Sequence, residues 1–154
     1  MCRSKFMLAA VGALAMAVSV GSGQEVVRKV TSEKLEGILK EMNITYKKTA
    51  GKNDGVFFYD YERNSINIRL HNYNGKDLWI DAVFSDKMTL EEINRWNIRA
   101  KFSRAVLIKD ANNKETVSLE SQIDCQGGIT DDIIKLFVNR FDNELAEFRR
   151  FITR

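Results

Sequence analysis

Ile134, Phe137, Val138, Phe141, Leu145, Phe148 and Ile152 recur at helical spacing near the end of the chain. An apolar stripe of that length cannot be left in water, so the preceding residues must supply a broad apolar surface for it to cover. Alternating strands supply one. Val56-Phe57-Phe58-Tyr59 follows an Asp54-Gly55 turn; Ile66, Ile68 and Leu70 alternate with Asn67, Arg69 and His71. Leu78, Ile80, Ala82 and Phe84 then alternate with Trp79, Asp81 and Val83. Asn74-Gly75 between the last two runs is a hairpin signal, because both residues tolerate positive φ. The final helix is capped by Thr130, with Asp131 and Asp132 in its first turn and Arg149, Arg150 and Arg154 complementing its C-terminal end.

Two further helices fit the pattern. The first starts near Thr31, with Val30 and Leu35 placed as a hydrophobic staple and Leu35, Ile38, Leu39 and Met42 forming one stripe. The second opens on Thr89 and Glu92 in capping-box spacing, flanked by Met88 and Ile93. A hairpin follows it, from Ala105–Lys109 through Asp110-Ala111-Asn112-Asn113 into Thr116–Cys125. On the second arm Val117, Leu119, Ile123 and Cys125 share the inward parity, while Thr116, Ser118, Glu120, Gln122 and Asp124 face outward. The predicted order is α-β-β-β-α-β-β-α, an α+β fold with helices on one side of an antiparallel sheet. The chain has no proline, and no repeat or linker-like run divides it. One domain over residues 24–154 follows.

Residues 1–23 read as a signal peptide. Arg3 and Lys5 precede an apolar run from Phe6 to Val20, and Gly21 and Gly23 supply small residues before a cut ahead of Gln24. The run falls short of the roughly 20 residues that span a bilayer. Cys2 lies ahead of it rather than at a lipidation position. The expected location is therefore the periplasm or the exterior, with no stable membrane anchor after cleavage. Loss of Arg3 and Lys5 leaves a nearly balanced charge, which gives no long-range attraction to nucleic acid. Cys125 is then the one cysteine of the mature chain, so no disulfide can form within it.

Candidate site residues are few. Leu90, Ile93, Asn97 and Ala100 line one face of the second helix with Trp96 at its edge, which places an amide among apolar residues. Such an amide needs partners, and exposed backbone groups of the following strand are the nearest. A clamp is therefore favoured over a ligand contact. Trp96 suits either packing against the sheet or last helix, or a partner site. His71 is the lone histidine, on outward parity without a serine or cysteine nucleophile motif, and reads as surface. Cys125, on inward parity, reads as a buried apolar residue. One histidine and one mature cysteine supply no zinc cluster, and the aspartates lack a calcium-loop pattern. Gly127-Gly128 reads as a strand-to-helix turn rather than a phosphate loop, since Asp131 and Asp132 would repel an anion there. No catalytic, cofactor-binding or metal-binding residue is assigned.

The sequence TLEEINRWNIRAKF from Thr89 to Phe102, the strand beginning at Arg104 and the Gly127-Gly128-Ile129-Thr130 turn together resemble the YbjN family, described as putative bacterial sensory transduction regulators. The resemblance runs from about Lys29 to Ile152. It implies the fold of type III secretion chaperones and a non-enzymatic role exercised by binding another protein; the expected partner is an unknown protein, with a homodimer among the options. It also implies that Asn94, Trp96, Asn97, Phe102, Arg104, Gly127 and Gly128 are signature positions with structural roles. The alternative reading is a periplasmic small-ligand sensor or an unrecognised hydrolase with a pocket near Trp96, Asn97 and Cys125.

Overall fold

The computed structural model describes residues 25–109 and 113–153. The leader and its cut before Gln24, Asp110-Ala111-Asn112 of the second hairpin turn, and Arg154 lie outside the described residues. The elements are α1 (Ser32–Glu41), β1 (Lys47–Ala50), β2 (Val56–Arg63), β3 (Ile66–Tyr73), β4 (Asp77–Phe84), α2 (Leu90–Arg99), β5 (Arg104–Lys109), β6 (Glu115–Asp124) and α3 (Asp131–Ile152). The predicted order holds with one addition. Strand β1, which sequence patterning does not reveal, precedes the three expected strands and pairs antiparallel with β2.

The caps explain where the helices begin. Thr31, Thr89 and Thr130 each accept a bond from the backbone N–H three residues on, and the Glu92 carboxylate accepts from the Thr89 N–H to complete a capping box. Asn74 and Gly75 adopt φ of 57° and 72°, as the tight β3–β4 hairpin requires. A side chain on Gly75 would also meet the Val30 carbonyl oxygen at 2.8 Å. That closeness has a use: Val30 donates to the Gly75 carbonyl at 2.8 Å, and buried Asn72 bonds both the Val30 carbonyl and the Gly75 N–H. The entry to α1 is thereby tied to the hairpin.

All six strands form one antiparallel sheet in the order β1-β2-β3-β4-β6-β5. After β4 the chain crosses through α2 to the far edge as β5, and β6 returns between them. Tyr59, Tyr61, Ile68, Leu70, Leu78, Ile80, Ala82, Phe84, Val117 and Leu119 turn inward and share a single core with the three helices, which lie on that one face. The α3 stripe is buried as expected, with Ile152 only partly so. Phe148 is its focus, meeting Phe84 at 5.2 Å and Trp96 at 4.9 Å in edge-on contacts. Polar anchors fix the helix at two further points. Asp142, whose carboxyl burial pushes upward in pKa, accepts from the Tyr61 hydroxyl and from Arg63. Glu144 accepts from the backbone N–H groups of Lys101, Phe102 and Ser103 and from the Ser103 hydroxyl.

Cys125 is buried at the end of β6. Burial, and next the carboxylates of Asp77 and Asp124, push its thiol up to about 11. Thiolate is the reactive form, so the native protein should be alkylated slowly at pH 7 and the denatured protein fast. Equal rates in the two states would contradict that placement.

Candidate functional site

With the helices on one face, the outward side chains of the sheet form an open surface, and the strand register arranges them in rows. Lys47 lies opposite Asp60, Asp60 opposite Arg69, Arg69 opposite Asp81, Asp81 opposite Glu120, and Glu120 opposite Arg104. One line of charged residues therefore crosses all six strands. Directly opposed residues interact most strongly in a sheet, and like charges there are unfavourable. The Asp81–Glu120 step is such a conflict. It is relieved on both sides: Glu120 accepts from Arg104 Nε at 2.8 Å, and Asp81 lies 2.6 Å from His71 Nε2. Asp60 binds Arg69 through two bonds of 2.6 and 3.0 Å.

The adjacent row is aromatic. Phe58, His71 and Trp79 occupy opposed positions on β2, β3 and β4, and Gln122 continues the row on β6. Tyr73, two residues beyond His71, joins them. The His71 ring stacks against Trp79 at 4.3 Å and Tyr73 at 5.7 Å, with the Phe58 edge at 5.1 Å. His71 Nε2 lies 2.6 Å from an Asp81 carboxylate oxygen, and its Nδ1 lies 3.3 Å from the Tyr73 hydroxyl. The Tyr73 hydroxyl is pushed upward in pKa by burial and by the Asp81 charge.

His71 departs from the sequence expectation. Its outward parity is as predicted, yet it is only 8% exposed, because rings from the neighbouring strands enclose it. Thr116 and Ser118 are likewise buried on the outward parity; Val83 and Val106 stand opposite Ser118 on its two neighbouring strands. Among the described residues no serine hydroxyl or cysteine thiol is bonded to His71; its side-chain partners are Asp81 and the Tyr73 hydroxyl. The arrangement suits recognition: ordered charges beside a rigid aromatic row, with Val83 half exposed at the margin.

The second helix is corrected in two respects. Leu90 is 67% exposed rather than on the buried face, which is formed by Ile93 and Trp96. Asn97 is exposed rather than enclosed by apolar groups, but it is a clamp. Its Nδ2 donates to the Ala105 carbonyl at 3.0 Å and its Oδ1 accepts from the Ala105 N–H at 2.8 Å. Because β5 is an edge strand, these bonds occupy backbone groups that would otherwise invite another strand. Asn97→Leu should cost about 1–3 kcal/mol in urea-denaturation measurements, since Ala105 is left without partners. Unchanged stability would show that the clamp contributes nothing.

Trp96 resolves to the core at 1% exposure, against Phe148 and Phe151. Of the other signature positions, Phe102 packs edge-on against Phe137, Arg104 belongs to the charged row, and Asn94 is exposed. Gly128 has φ of 103°, which explains its glycine; Gly127 meets no such demand. A ligand pocket formed by Trp96, Asn97 and Cys125 is not what the structure provides, as two of them are in the core and the third is engaged with Ala105. The open sheet face had no single signal in sequence. Its parity could be read strand by strand, but the rows exist only once the register is known.

The sequence model of one family, YbjN, described as "Putative bacterial sensory transduction regulator", matches residues 31–154. No curated protein matches the chain. Among solved structures, similarity extends to a crystal structure of YbjN from E. coli, described as a putative transcription regulator: TM-score 0.63 at 9% identity, over 80% of this chain and 90% of that one. An uncharacterized protein from Methanothermobacter thermautotrophicus aligns with a TM-score of 0.48 at 14% identity, over 77% of this chain and 94% of that one. At these identities the E. coli likeness is one of fold.

Proposed function

The chain belongs to the YbjN family, and on that premise we propose that it is an exported, non-enzymatic protein that contributes to sensory transduction by binding another protein through its open sheet face. The observation that carries this reading is the row Lys47-Asp60-Arg69-Asp81-Glu120-Arg104 beside Phe58, His71 and Trp79. A surface with fixed charges of both signs selects a partner by complementarity, and the aromatic row supplies apolar area. Face-to-face pairing with a second copy in which the row runs in reverse would set Arg69 against Asp81, a complementary meeting, but Asp60 against Glu120 and Lys47 against Arg104. Those like-charge meetings favour a different protein as the partner.

Transcription control, suggested by the description of the E. coli protein, fits this face less well. A phosphate backbone is held by a run of positive charge along its length, whereas this row intersperses three cations with three carboxylates. Export rests on Arg3, Lys5 and the Phe6–Val20 run. N-terminal sequencing of the protein from its source cells should begin at or near Gln24; an intact Met1 end recovered from membranes would refute export.

A photoreactive residue placed at Phe58 tests the binding reading. In the periplasm it should capture one discrete partner, while the same residue at Leu136 on α3 should not. Equal capture from both positions, or none from Phe58, would contradict it.

A further inference from the structure

We infer that a cleft beside the aromatic row binds a small carboxylate with a flat apolar body, such as an aromatic acid. The cleft is open to solvent, is lined by Trp79, by the α2–β5 turn from Ala100 to Arg104, and by Glu120, Ser121 and Gln122, and has a volume of about 330 Å³. That is room for a single ring and its acid group. One face of the Trp79 indole is covered by His71 on β3, at 4.3 Å and 26° between planes. Trp79 also lines the cleft, and Gln122, another lining residue, stands directly opposite it on β6. A half-buried indole held from behind by a stacked ring is a rigid platform for another flat group.

The polar inventory around that wall selects the charge of the ligand. Ser121 is engaged with the Phe102 carbonyl, and Ser103 with Glu144. Glu120 accepts from Arg104 Nε, so its charge is matched already. The guanidinium of Arg104 is fixed through that nitrogen, and its side chain is 66% exposed. Lys101 adds an exposed side chain on the same turn, whose backbone is held by Glu144. The charged side chains lining the cleft are thus two cations and one carboxylate. A carboxylate meets Lys101 and the outer nitrogens of Arg104 while its ring lies on the indole. A cation would meet two like charges at that rim.

Trp79, Glu120 and Arg104 are shared with the proposed protein-binding face, but small-ligand binding here does not depend on that reading. Titration of the ¹⁵N-labelled protein with benzoate, benzamide and acetate tests it, following the indole N–H signals of Trp79 and Trp96, assigned with Trp79→Phe. Benzoate should shift the Trp79 signal saturably, with a dissociation constant of about 1 mM or tighter, and leave buried Trp96 unmoved. Benzamide lacks the charge and acetate lacks the ring, so each should bind at least about tenfold more weakly. Lys101→Gln and Arg104→Gln change exposed side chains and should each weaken benzoate several-fold in a folded protein. Absence of a saturable Trp79 shift, a separation of less than about tenfold from either control, or full benzoate affinity in both variants would overturn the assignment.

Discussion

Phe148→Ala is expected to destabilise the protein by about 3–5 kcal/mol, read as a lowered midpoint in urea with an unchanged slope. Phe148 is fully buried and is the side chain at which the sheet, α2 and α3 meet, through Phe84, Trp96 and Phe151. Those rings are carried by separate elements with their own backbone bonds. The hole left by truncation cannot close without moving one of them, so the loss includes both transfer and cavity terms. A cost below about 1 kcal/mol would mean that the α2–α3 packing described here is wrong.

Glu144→Ala should cost about 2–4 kcal/mol in the same assay, although the residue lies on a partly exposed flank of α3. Its carboxylate closes the α2–β5 turn by accepting from three consecutive backbone N–H groups and one hydroxyl. Hydrogen bonds to a charged acceptor are the stronger kind, and Ser103, largely buried, would be left with unpaired donors. Hydrogen exchange at Lys101, Phe102 and Ser103 should accelerate selectively in the variant. A loss within about 0.5 kcal/mol, with exchange unchanged, would show that water replaces the carboxylate at no cost.

What could be read from the sequence was local. The Thr89–Glu92 capping box, the Asn74-Gly75 turn and the α3 stripe each act over a few residues, and each appears where its spacing puts it. Strand β1 escaped because Lys47-Lys48-Thr49-Ala50 has no apolar alternation; it is a strand because β2 offers it an edge. The burial of His71 was hidden for a related reason. Tyr73 is a same-face neighbour two residues on, but Phe58 and Trp79 reach it only through the register of three strands, and no spacing along the chain encodes that distance. Glu144 reaches a turn some forty residues earlier in the chain, again without a local pattern. Asn97 shows the intermediate case: its need for backbone partners could be foreseen, but its exposure at the sheet edge could not.

The open face as a binding surface is tested most directly by comparing Val83→Asp with Leu136→Asp. Both residues are exposed apolar side chains, at 51% and 44%, on opposite sides of the molecule. Each substitution should leave thermal stability within about 0.5 kcal/mol, as is usual for surface positions. In binding assays with the partner captured from Phe58, Val83→Asp should weaken the complex at least about tenfold, because a carboxylate would be forced against the partner beside the charged row. Leu136→Asp should bind as the parent does. Loss of binding in Leu136→Asp with retention in Val83→Asp would move the interface to the helices and contradict the account.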